Sequence, residues 1–442
     1  MDTFPLIAGL LAYVLLGRFV MRCLAGMPRE LLFAGLNLAG VFFFLFYGGH
    51  EHFVLRFMLY VVFVAGFYLA LQIFGARRGL WPWLAFAAPI AALIVVRYVP
   101  GDVYVALGHA LGKTWRGVPQ MIGISYLAFR CSRLVLEVRN GVVKKPNFLE
   151  YLNFAFFLPT MSVGPINTYA NFRRGFAARI AVAATPSSPG NFGAANVFAR
   201  LFGRRGVAAT PVAGFPYEVP VGRAALRILV GAVKYQFLGN LCGQLTYSGL
   251  LLDDHPHPWM DLPVAMLFFY LYLYLNFSGF CDMAIGAAAL IGIPVPENFD
   301  NPFAARNVKD FWNRWHITLS TWMRDVVFSP LSKFLVGKLG VKLADHAIAL
   351  TILATFLLIG IWHGVGWNYA LFGLAQALGV ATVHYYTIFL KKRLGREGFK
   401  AYNENRWIHS VGVVITFCYY ALTLFLFANT FTEMKQIFSI MR

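Results

Sequence analysis

The stretch NFDNPFAARNVKDFWNRWHITLSTWMRD, residues 298–325, is too polar for the middle of a bilayer and too aromatic for a solvated loop. Asn307 or Asp310 is placed to cap a helix start. Beyond it Trp312, Trp315, Leu319, Trp322 and Val326 recur at spacings of three and four, which puts them on one helical face. His316 and Ser320 share a neighbouring strip, while Arg314, Arg324 and Asp325 add charge. The pattern predicts a helix lying at, or dipping into, a membrane interface with one face inserted. The flanks supply the membrane, because apolar runs lie at 262–292 and 345–362.

Further apolar runs fall at about 5–25, 31–48, 53–75, 81–99, 119–138, 148–163, 224–250, 366–390 and 408–431. Many of these runs approach the roughly 20 residues that cross a bilayer as a helix, and about 9–11 spans are expected. The whole chain of 442 residues agrees, being 59% hydrophobic and 13% charged. A soluble protein carries about 25% charged residues, so too little polar surface remains for water. The expected architecture is a single all-α domain over residues 1–442, a polytopic transmembrane bundle with re-entrant helices around a central tunnel. The run at 148–163 leads into Pro159 and Gly164-Pro165 and reads as a re-entrant or broken helix. The run at 262–292 is too long and too polar in its middle to read as one plain span. The first segment lacks a basic leader region and a small-residue cleavage site, so a retained helix is expected rather than a removed signal.

A net charge of +19 in a soluble protein would point to nucleic acid. Here the basic residues sit in short loops between apolar runs, where they set topology, and no nucleic-acid module stands apart from the spans. Arg29, Arg77-Arg78, Arg139 with Lys144-Lys145, and Lys391-Lys392-Arg393 fall in loops on one side. The loops at His50-Glu51-His52, Gly101-Asp102 and Asp253-Asp254 fall on the other. The positive-inside rule makes the basic side cytoplasmic and both termini extracytoplasmic. A longer hydrophilic insertion at about 171–223 holds Arg173, Arg174, Arg179, Arg200, Arg204, Arg205 and Arg223 among Ala, Gly, Ser and Pro. It reads as a flexible cytoplasmic loop, or as a docking surface for an acidic partner or anionic lipid. The five cysteines form no CxxC pair and read as small buried hydrophobes.

Three sites carry candidate chemistry. Asp282 lies inside the apolar run NFSGFCDMAIG (276–286), where a carboxylate is costly and faces a bundle interior, pairs with an Arg or caps a broken helix. His316, on its residues alone, is an interfacial histidine. His363 ends an apolar run and is followed at once by Gly364 and Gly366, which leave room for close approach. A neutral imidazole in an apolar cavity is a general base near pH 7, although an aromatic-belt residue at a helix end is the plainer reading. His50/His52 and His255/His257 lack the carboxylates and cysteines of a metal set, and no metal site is expected.

The block FWNRWHITLSTWMRD (311–325), followed by Trp362-His363-Gly364, resembles the signature of the membrane-bound O-acyltransferase family. More narrowly it is similar to the bacterial branch of alginate O-acetyltransferase and the D-alanyl transfer protein of teichoic-acid modification. Gly123-Ile-Ser-Tyr126, PTMSVGP (159–165), SGFCDMAIG (278–286) and PENFDNP (296–302) match in order, and the resemblance covers roughly residues 50–430. The Arg-rich insertion and Cys281, where serine or tyrosine is more usual, depart from the pattern. The resemblance implies that His363 is catalytic, with His316 as the second essential histidine. It implies an acyl thioester donor, acetyl-CoA or an acyl-carrier protein, with no tightly bound cofactor. It also implies transfer across the plasma membrane to hydroxyls of an envelope polysaccharide or teichoic-acid-like polymer, directly or through an extracytoplasmic relay acyltransferase.

Within that chemistry Asn313, Arg314 or a Trp312 or Trp315 indole N–H would steady an oxyanion, and Asp282 or Asp325 would hold an imidazole tautomer. Ser320 joins these as a supporting residue. The sequence 321–330 is closer to the acetyl side and 309–315 to the alanyl side, and on the sequence acetyl is narrowly favoured over D-alanyl. A transporter or flippase, or a structural subunit of a polymer complex, is the alternative; inverted repeats would favour transport, and none is visible.

Overall fold

A computed structural model describes residues 4–47, 53–99, 121, 123–177, 219–252 and 257–441. The loops at His50-Glu51-His52, Gly101-Asp102 and Asp253-Asp254, residue His255, and residues 178–218 of the basic insertion lie outside the described residues. Among the described residues the regular structure is helical, and the one strand-like pairing is an isolated antiparallel bridge between Phe299 and Trp315. Among the described residues six helices are long and apolar enough to cross a membrane: Gly26–Tyr47, Phe53–Phe74, Trp81–Tyr98, Trp259–Ile291, Val341–His363 and Arg406–Ala428. Other expected spans are shorter or interrupted by charge. Ile124–Arg139 has 16 residues and carries Arg130, Arg133 and Glu137. Val62, Leu69, Val414 and Ile415 are all more than half exposed on the candidate spans. Hydrocarbon is the solvent that tolerates such surfaces, and the chain is an all-α, multi-pass membrane protein.

The described residues fall into two compact units. The first takes residues from Met1–Gly190, Ala209–Leu229 and Cys281–Pro296; the second takes the rest, chiefly Val230–Phe280 and Glu297–Arg442. In the first unit a buried polar chain ties helices together. Tyr13 donates to Asn37 Oδ1 at 2.6 Å, Asn37 to Asn153 Oδ1 at 3.0 Å, and Asn153 to the Glu30 carbonyl at 2.9 Å. Each amide buried from water thus finds a partner. The run at 148–163 is broken as expected: helix Phe148–Ala155 gives way to a single 3-10 turn at Leu158–Thr160. Buried Arg130 holds the break by donating to the carbonyls of Phe154 and Thr160. Gly123 sits at φ 80° against the backbone of Met161 and Ser162, where any Cβ would collide. The motif pieces at 123–126 and 159–165 are therefore neighbours.

Three expectations are corrected. The run at 262–292 is one unbroken 34-residue helix, Pro258–Ile291. Its polar middle does not break it because Asp282 accepts from Arg227 Nε at 2.9 Å, on the helix Val221–Ala232. At about 1.5 Å per residue it is far longer than a bilayer core requires. Lys391-Lys392-Arg393 lie not in a loop but on the helix Trp367–Glu404, which is interrupted only at Gly395, φ 65°. Cys23 and Cys418 are exposed on helix surfaces rather than buried; Cys131, Cys242 and Cys281 are buried, and none of the five forms a disulfide.

Candidate active site

The second unit contains both candidate histidines. The helix Val308–Trp312 begins where Asn307 caps it, its side chain accepting the Asp310 N–H at 2.8 Å. The Trp spacing predicts that this helix runs on through Val326, and there the structure differs. Residues 298–300 pair instead with 314–317: Asp300 N–H donates to the Arg314 carbonyl at 2.9 Å, and Ile317 N–H to the Asn298 carbonyl at 3.0 Å. His316 consequently adopts a left-handed backbone, φ 44° and ψ 51°, before the helix Ile317–Met323 begins. A non-glycine residue there costs about 1–2 kcal/mol, and such strain gathers at functional sites.

The break turns the His316 side chain inward, where it is 3% exposed. Its Nδ1 lies 3.2 Å from Asn298 Oδ1. The same oxygen accepts the Thr318 N–H at 3.1 Å and the Thr318 hydroxyl at 2.9 Å. Phe277 packs edge-on against the imidazole at 4.7 Å between ring centres. His316 Nε2 is buried with no hydrogen-bond partner among the described residues. The residue lies outside the membrane-spanning helices, and its pKa is pushed down to about 3, first by burial and then by the nearby His363. It is held neutral.

His363 comes from the other side of the same unit. It is the last residue of the helix Ala344–His363, and Gly364 follows in extended conformation. Gly360 on this helix lies against Gly373 on the next, where a Cβ on Gly360 would stand 2.9 Å from Gly373 Cα. Small residues at a membrane helix crossing let the backbones close up, which fixes where His363 projects. Its ring sits edge-on to Phe427 at 5.0 Å and beside Trp362 at 4.6 Å. The two histidines line one small cavity of about 60 Å³ with Tyr270, Phe277, Trp312, Trp315, Phe372 and Phe427. Two imidazoles in a largely aromatic pocket suit proton transfer to and from a neutral hydroxyl.

The remaining candidates divide. Trp312 and Trp315 line the cavity, but the Trp312 indole N–H donates to Gln376 Oε1 at 3.3 Å. Arg314 is engaged by Asp310 at 3.0 Å and by the Asp300 carbonyl at 3.3 Å, which stiffens the turn before His316. Asn313 is exposed. Ser320 donates to the Trp315 carbonyl at 3.4 Å. Asp325 contacts Arg324 at the start of a π-helical turn, Arg324–Phe328. Asp282 pairs with Arg227 in the first unit. The group that meets His316 Nδ1 is an amide, Asn298, rather than a carboxylate. Asn298 was legible only as part of a polar run, so its role escapes sequence reasoning. Lys234 also escapes it: buried in a π-helical turn, Val233–Leu238, its Nζ lies 5.7 Å from the Tyr274 ring, which packs on Phe299 and Trp315. A lysine within the apolar run 224–250 was the available signal. Among the described residues no cluster of three or more His, Cys, Asp or Glu is placed to hold a metal ion.

The profile of the membrane-bound O-acyltransferase family matches residues 246–427, which include both histidines and every cavity residue named above. The teichoic acid D-alanyltransferase of Bacillus subtilis (strain 168) is 30% identical over 313 residues, covering 70% of this chain and 68% of that protein. That of Streptococcus thermophilus is 28% identical over 328 residues, covering 71% and 69%. The probable alginate O-acetylase AlgI of Azotobacter vinelandii is 33% identical over 147 residues, covering 33% and 28%. This chain belongs to the membrane-bound O-acyltransferase family, and it is an acyltransferase.

Proposed function

We propose that the protein moves a small acyl group from a cytoplasmic thioester donor, through the plasma membrane, to hydroxyls of an envelope polymer or to an extracytoplasmic relay acyltransferase. The observation that carries the reading is the pairing of His316 and His363 on one apolar cavity. One imidazole takes the hydroxyl proton as the oxygen attacks the thioester carbonyl, and the partner histidine completes the pocket. Enclosure away from water strengthens each polar contact and shields the thioester from hydrolysis. The acyl group is D-alanyl or acetyl. D-alanyl is favoured, because the relatives matched over about 70% of the chain bear that name and the alginate O-acetylase is matched over 33%. An acidic carrier protein is the donor that the basic insertion would suit, and acetyl-CoA is the donor that fits acetyl transfer. Both termini lie outside in this arrangement.

The test is the ester content of the cell envelope. Mild alkaline release followed by mass spectrometry is run on cells with the native protein, with His363→Ala or with none, membrane levels being matched. An acid that disappears in both altered strains supports the reading, and its mass names the acyl group. Esters that persist with His363→Ala and vanish on deletion would move the catalysis elsewhere.

A further inference from the structure

We propose that Asn298 is a positioning residue for acyl transfer: its amide oxygen fixes the tautomer of His316 that offers a bare Nε2 to the cavity. The inference rests on the functional reading above and assigns a role within it.

The argument starts from one oxygen. The Thr318 backbone N–H donates and cannot accept, so the Asn298 atom 3.1 Å from it must be the oxygen, not the amide nitrogen. The Thr318 hydroxyl donates to the same atom at 2.9 Å. With Oδ1 so fixed as an acceptor, the His316 Nδ1 that faces it at 3.2 Å carries the proton. A neutral imidazole holds one proton, so Nε2 is left as a lone pair. That atom is buried and unpartnered among the described residues, and His316 lines the cavity. An orphaned buried acceptor is costly, and a site that keeps one has a use for it.

The lone pair makes His316 a hydrogen-bond acceptor: Nε2 accepts from the attacking hydroxyl and orients it on the cavity that His363 also lines. The His363 imidazole takes the hydroxyl proton while the hydroxyl oxygen bonds to the acyl carbon. The carbon–sulfur bond then breaks, its electron pair leaves with sulfur, and the proton passes from the imidazolium to the thiolate, so the pair of substrates becomes ester and thiol. The left-handed backbone at His316 and the Asn298 carbonyl bond to Ile317 N–H at 3.0 Å hold the ring where this requires. Of the ionisable groups around it, His363 acts on His316, and the Tyr270 and Tyr420 side chains line the same cavity. Asn298, Thr318, Phe277 and Trp362, packed on its other sides, carry no charge.

The experiment measures transfer by the purified full-length protein in lipid nanodiscs, from a labelled acyl thioester, for native protein, Asn298→Ala and Asn298→Asp across pH. Asn298→Ala is expected to lose kcat on the order of 100-fold with donor KM within about threefold. Asn298→Asp keeps the acceptor but adds a negative charge at Nδ1, so it is expected to retain transfer above neutral pH and to move the acid limb of kcat upward by about one unit or more. A structural role alone would lower folded yield without moving that limb. Nitrogen-15 NMR of histidine-labelled native protein, the His316 signal being assigned by its loss in His316→Gln, reads the tautomer without any Asn298 variant. Protonated Nε2, or an Asn298→Asp acid limb at its native position, overturns the proposal. Native protein that transfers nothing, or a His316→Gln variant of native rate, instead overturns the functional reading beneath it.

Discussion

At the scale of single residues, His316 and His363 sit in one pocket but in different states of confinement. His316 is 3% exposed and His363 half-buried at the end of its helix. Replacing either by Ala is expected to cut transfer on the order of 100-fold or more at unchanged membrane level, read by thiol release from the donor. His316 also links folding to pH. Its folded pKa, near 3, lies below the ordinary value of about 6.5, so between those limits the unfolded chain binds a proton that the folded one refuses. The contribution of His316 is therefore fully present above about pH 6.5 and is lost as pH falls toward 3. Thermal unfolding in detergent from pH 7 to pH 5 is expected to show native protein losing stability more steeply than His316→Gln. Equal slopes would show that the imidazole is not held neutral. Asn313 shows what residue type alone cannot tell: it reads as an oxyanion donor beside His316, yet it is exposed.

At the scale of elements, two contacts decide whether helices keep their place. Arg227 and Asp282 lie 2.9 Å apart with side chains mostly buried between two helices of the first unit. Removing one partner leaves a charge in apolar surroundings, at a cost of about 3 kcal/mol. Arg227→Met and Asp282→Asn should each lower the melting temperature, and a Met pair at both positions should recover most of the loss; additive losses would contradict the pairing. Gly360 meets Gly373 and the Tyr369 carbonyl with no room for a Cβ. Gly360→Val should push the two helices apart and displace His363, so transfer is expected to fall much further than folded yield, as judged by size-exclusion chromatography. Much at this scale could be read in the sequence: the cap at Asn307, the broken segment after Phe148, and the helix ending at His363. The break at His316 could not, because the spacing of Trp312, Trp315, Leu319 and Trp322 runs straight across it. What breaks the helix is pairing with residues 298–300, and a periodicity within 311–326 carries no trace of that partner. For Asp282 the pairing with an Arg that the sequence offers is the one found, though which Arg was not legible, since Arg227 lies 55 positions away.

At the scale of the whole molecule, composition was sufficient for the class, because 13% charged residues cannot solvate 442 in water. The wide exposed belts of Leu, Ile, Val and Phe on the candidate spans are the structural counterpart. Motif pieces scattered from residue 123 to residue 364 fall into order once folded. Those at 123–126 and 159–165 brace the first unit, and those at 298–325 and 362–364 build the pocket of the second. The central claim is that this pocket joins a thioester on one side of a membrane to a hydroxyl on the other. The most direct measurement reconstitutes the protein in sealed vesicles, with labelled acyl thioester outside and a hydroxyl acceptor enclosed. The account predicts labelled ester inside for the native protein and none above background for His363→Ala. Enclosed ester formed equally by both, or donor thiol released with no ester on the far side, would contradict it.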